Sequence, residues 1–128
     1  MIDQPRSDGA TDRESGARPG DGTTDELRLP DPVAGALRSL GDRIDELADS
    51  LPIGPARHHA RQAAVAARTA ADDDADLVAR RVALGELVTK LRLAADEADA
   101  TRSQYELLEL LYEEALPATR EASGVLYG

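Results

Sequence analysis

Leu77, Leu84, Leu91, Ala98, Tyr105 and Tyr112 stand seven residues apart, with no Pro between them. A sustained seven-residue apolar period lays one face of a helix against partner helices. Leu87, Ala94, Thr101, Leu108 and Ala115 form a second line in step with the first, and Val88 and Ala95 widen the stripe. The spacing predicts a long coiled-coil-like helix C over 74–116, continuous or gently kinked. A break near 98–104 is the alternative, because Ser103-Gln104-Tyr105-Glu106 has a capping-box pattern. Leu116-Pro117 is expected to end the helix, since Pro lacks an N–H and collides with the preceding turn. Residues 118–128 are then a tail that packs back on the bundle, frays or serves as a short recognition segment.

Two shorter helices precede it. Val33, Leu37, Leu40, Ile44, Leu47 and Leu51 advance in alternating steps of four and three. They predict helix A over 33–50, opened by Asp31-Pro32 as cap and first helical residue and closed by Leu51-Pro52. Gly35 and Gly41 fall off its stripe. Ala56, Ala60, Ala63, Ala67 and Ala70 predict helix B over 56–71, with Val65 as its one large apolar residue. An alanine face buries little area per residue but allows close approach, so B should nestle against a neighbour. The run Asp72-Asp73-Asp74-Ala75-Asp76 should end B and cap C, because negative charge is unfavourable at a helix C-terminus and favourable at an N-terminus.

The chain contains no Cys, Phe or Trp and only three Tyr among 128 residues. That leaves Leu, Val, Ile and Ala to form the core, which suits helix–helix contacts and excludes a β-sandwich, a disulfide framework or a thiolate metal site. The expected fold is all-α: an antiparallel three- or four-helix bundle, with A and B stacked end to end along C. Residues 1–30 are expected to form a disordered, acidic, Gly/Asp-rich arm. They carry only Met1, Ile2, Leu27 and Leu29 as large apolar residues, too few to offset the entropy of ordering. Such an arm solubilises the chain or docks on a partner through Leu27 and Leu29. No run of about 18 apolar residues is present, and no apolar signal stretch opens the chain, so a cytoplasmic location is expected and a membrane partner is not.

The formal charge is −10, from 25 acidic and 15 basic residues. Fourteen of the basic residues are Arg, and Lys90 is the single Lys. This balance argues against a nucleic-acid partner, which needs a basic face to displace counterions. GC-rich coding and a salt-rich cytoplasm each account for such a composition without reference to function.

Candidate chemistry is sparse. His58-His59 point about 100° apart on a helix and lack a ligand four residues on, so they do not match a helical metal pair. With Arg57 and Arg61 they make a basic turn that suits solvent, an anion or an acidic partner. Asp42, Asp45, Glu46 and Asp49 on helix A, and Glu106, Glu109 and Glu113 on helix C, lie off the apolar stripes and read as solvated acidic faces. Asp76 and Arg80 are spaced for an ordinary helix salt bridge. No phosphate loop, nucleophile elbow or catalytic triad is evident, and no cofactor or metal is expected. The segment Arg80–Arg92 resembles the long first helix of all-helical chorismate mutases. The resemblance implies Arg81 and Arg92 as binders of substrate carboxylates. The family's other Arg on that helix falls here on Ala64, and its Gln or Glu partner near the chain end has no counterpart.

The function expected from these features is a non-catalytic protein–protein interaction or adaptor module. Leu107, Leu108, Leu110, Leu111 and Tyr112 are too many apolar residues for one narrow stripe. The contact surface is therefore expected at Tyr105, Leu107, Leu108, Leu111 and Tyr112, and self-association through it, most simply as a two-fold dimer, is the expected partnership. The alternatives are a small all-helical enzyme, using Arg81 and Arg92 or Mg²⁺ on the acidic faces, and an acidic regulatory protein of antitoxin-like type.

Overall fold

The computed structural model describes residues 28–128; the expectation for the arm lies outside them, apart from Arg28, Leu29 and Pro30. The described chain is all helical: α1 (Asp31–Asp49), α2 (Pro55–Ala71), α3 (Leu77–Glu97), α4 (Thr101–Leu110) and α5 (Leu116–Leu126). A π-helical turn, Leu111–Ala115, joins α4 to α5, so the last two form one interrupted helix. The result is an antiparallel bundle of four helices.

Helix α1 starts where Pro30 offers its carbonyl to the N–H groups of Val33 and Ala34, each at 3.0 Å. Asp31 lies inside the first turn and makes no side-chain cap, contrary to expectation. The expected stripe points inward: Leu37, Leu40, Ile44 and Leu51 are buried, and Val33 and Leu47 pack at its edge. Leu29 is buried too, at 2% exposure, so it belongs to this chain's own core and not to a partner-binding arm.

Helix α2 contributes eight buried alanines. It packs between α1 and α3, so A and B lie side by side and do not stack end to end. Gly41 permits the close approach: a Cβ there would meet the Ala64 carbonyl oxygen at 3.2 Å. The turn into α3 follows the electrostatic expectation, since the Asp76 carboxylate accepts from the N–H groups of Val78 at 3.1 Å and Ala79 at 3.3 Å.

The long helix C is divided. Helix α3 ends at Glu97, Ala98 and Ala100 take extended backbone, and the chain reverses into α4. A continuous helix over 74–116 would run about 65 Å at the usual rise, roughly twice the length of α1 or α3. Its far half would stand beyond the other helices with Leu107 and Leu111 in water. Folding back buries both completely. The break precedes the Ser103–Glu106 pattern, and α4 begins without a side-chain cap.

Pro117 does not end the last helix. The π turn accommodates it: the Leu116 N–H donates to the Leu111 carbonyl, five residues back, and Pro117 falls in the first turn of α5, where a missing N–H is tolerated. The expected tail is therefore helical, with Ala118, Ala122 and Leu126 buried. No helix among the described residues is long and apolar enough to cross a membrane.

Candidate interaction surfaces

The C-terminal helix has two faces. Leu107, Leu111, Ala115, Ala118, Ala122 and Leu126 form the inner line, all buried. Steps of four, four, three, four and four keep this line on the core, with the wide π turn absorbing one of them. The outer line is Tyr105, Leu108 and Tyr112. Tyr105 is 73% exposed and Tyr112 54%, with Leu108 half-buried between them and packed against the core edge. The structure thus divides the expected contact residues, sending Leu107 and Leu111 inward and leaving Tyr105, Leu108 and Tyr112 outside.

A row of carboxylates runs beside the outer line, each one residue further along the chain: Glu106, Glu109 and Glu113. Glu109 and Glu113 are exposed. Neither has an ion-pair partner among the described residues. Glu106 approaches Arg102 at 3.7 Å. Glu106 and Glu109 also line a shallow groove against α1, opposite Arg43, Glu46 and Leu47. Glu114 pairs with Arg43 and ties α1 to the π turn.

The acidic row of α1 behaves differently. Arg68 reaches Asp42 and Asp45, each at 2.8 Å. Arg61 reaches Asp45 at 3.2 Å and also pairs with Asp49. These residues form an ion-pair ladder between α1 and α2, and only Glu46 of the α1 row stays outside it. Hydrogen bonds to Asp49, in the case of Arg61, and to Asp42, in the case of Arg68, raise both guanidinium pKa values further, so the cations stay charged throughout the accessible range. The signal was present in the sequence as Arg61 and Arg68 seven apart on the helix following Asp42, Asp45 and Asp49.

Asp76 and Arg80 do not pair as the helix spacing suggested. Asp76 is used as a cap, and Arg80 is buried at 3% exposure. Its Nε donates to the Ala70 carbonyl at 3.1 Å, and its Nη2 to Asp73 at 3.3 Å. His58 is exposed, whereas His59 Nδ1 lies 2.5 Å from Glu97 Oε1 and links α2 to the end of α3. No group of three or more metal-ligating side chains occurs among the described residues.

Arg81 and Arg92, implicated by the chorismate mutase resemblance, are differently employed. Arg81 Nε donates to the Leu126 carbonyl at 2.7 Å, and its guanidinium lies 5.0 Å from the Tyr127 ring centroid. Arg92 is exposed on the same helix.

A second surface lies between α2 and α3. Exposed Val65 and Val82 line it with Ala66, Ala79 and Ala83, together with His58, Arg61 and Glu86. Gln62 Oε1 is buried there without a hydrogen-bond partner. Nothing in the sequence stripes marked this groove, because Val65 and Ala66 lie off the α2 stripe and Ala79, Val82 and Ala83 lie off that of α3.

No protein-family model, curated protein or solved structure matches this chain.

Proposed function

We propose that this chain is a non-catalytic interaction module whose contact surface is the outer face of its C-terminal helix. The observation that carries the reading is the Tyr105–Leu108–Tyr112 stripe. Two large aromatic side chains stand in solvent on a helix whose other face is fully used by the core. Tyr is favoured in contacts because it supplies a large, rigid, amphipathic area.

Self-association was expected on the strength of five apolar contact residues. With Leu107 and Leu111 in the core, three remain, which weakens that argument. Binding to a different protein becomes the preferred form, and a dimer of this chain is the alternative. The enzyme reading gains no support from Arg81, whose guanidinium is engaged by the chain's own C-terminal residues.

A photo-crosslinking side chain at position 105 or 112, in cells that make the protein, tests the proposal. The expected result is one discrete adduct from either position and none from position 53, where Ile53 is 91% exposed in a loop. An adduct of twice the chain mass would select the dimer. Equal labelling from position 53, or no adduct from 105 and 112, would overturn the proposal.

A further inference from the structure

The charge pattern beside the tyrosine stripe identifies a kind of partner. We infer that Tyr105, Leu108 and Tyr112, with Glu106, Glu109 and Glu113, dock a basic amphipathic helix of another protein, an inference resting on the contact surface proposed above.

Residues three and four apart are surface neighbours on a helix. Glu109 is four from Tyr105 and three from Tyr112, so it borders both on the helix surface. Glu113 and Glu106 extend the row in both directions, and exposed Glu46 of α1 adds a fourth carboxylate across the shallow groove. Arg43 of that groove is engaged by Glu114, and Arg102 is the one cation paired within the row. The stripe is therefore an apolar strip with an anionic border.

An apolar stripe on a helix flanked by Lys or Arg complements it in both respects. The apolar side chains cover the tyrosines and Leu108, and the cations meet Glu109, Glu113 and Glu46, which lack ion-pair partners among the described residues. A second copy of this chain packed antiparallel fits less well, since a two-fold axis running across the stripe brings the Glu109 and Glu113 rows of two copies together. Like charges brought together across an interface disfavour that pairing. The net charge of −10 adds long-range attraction for a cationic partner.

The test uses the full chain and two synthetic helical peptides of roughly 18 residues, about five turns. Both carry the same leucine stripe, flanked by Lys in one and Glu in the other. Fluorescence anisotropy reads binding at low and high salt, and sedimentation reads self-association without peptide. The Lys-flanked peptide is expected to bind at least about tenfold more tightly than the Glu-flanked one, with affinity falling as salt rises. The double variant Glu109→Lys, Glu113→Lys should weaken it by about tenfold or more. Tyr105→Ser with Tyr112→Ser should remove binding, and Val65→Ser with Val82→Ser should leave it unchanged.

Equal binding of both peptides that still depends on the tyrosines would overturn the basic partner and leave the contact surface standing. Binding insensitive to the tyrosine variants, or lost in the valine variants, would overturn both. Failure of the Lys-flanked peptide to bind, or tight self-association that covers the stripe, would overturn the basic partner.

Discussion

Arg80 sits 3% exposed at the α2–α3 turn, the one buried charged side chain among the described residues. Its guanidinium meets the last turn of α2 through the Ala70 carbonyl and the turn itself through Asp73. Hydrogen bonds from a charged donor contribute more than neutral ones, and removing the donor takes this partner from the carbonyl of buried Ala70. Arg80→Ala is expected to lower stability by about 2–3 kcal/mol, read from urea denaturation. Asp73 is 30% exposed and also held by Arg28, so Asp73→Asn should cost less. The glycines separate in the same way. Gly85 has open space around it, whereas a Cβ at Gly41 meets the Ala64 carbonyl oxygen and the Arg68 side chain. Gly85→Ala should stabilise by about 0.5–1 kcal/mol, the helix-propensity difference. Gly41→Ala should lose that gain against the tight α1–α2 contact. Equal stabilisation in both variants would show that the crossing has slack.

At the scale of elements, α5 is the part most changed from expectation. Leu126 is fully buried and its carbonyl is held by Arg81, so the last turn is a working part of the bundle. Leu126→Ala should cost about 2–4 kcal/mol, as large-to-small core changes do. A shift in the denaturation midpoint equivalent to under about 0.5 kcal/mol, the range of surface substitutions, would mean that the segment frays. The helical character of α1, α2 and α3 was legible from their four-three stripes, and the Asp76 cap from the charge run before it. The break at 98–100 was legible only as the alternative to a continuous helix, because the apolar period runs through it. After the chain reverses, the inner line of α4 begins at Leu107, two residues from the expected Tyr105 position. A repeat that ignores chain reversal assigns the tyrosines inward. The π turn was hidden for a related reason: local rules treat Pro117 as a stop, and only a widened preceding turn lets the helix pass it. The arginine ladder was legible only as a pairing between helices, which requires knowing that α1 and α2 lie side by side.

For the whole molecule, the proposed contact surface assigns stability to the inner face of the C-terminal helix and binding to the outer one. Leu111 is buried, so Leu111→Asp is expected to unfold the bundle and would say little about partners. Substitutions at Tyr105 and Tyr112 should leave stability within about 0.5 kcal/mol, as exposed positions generally do, while altering association. The most direct measurement is an NMR map of backbone amide shifts as the Lys-flanked peptide is added. The account predicts the largest changes between residues 105 and 113, with Glu46 affected across the groove and the α2–α3 groove silent. Changes centred on residues 58–69 and 79–86, with the tyrosine face undisturbed, would contradict it.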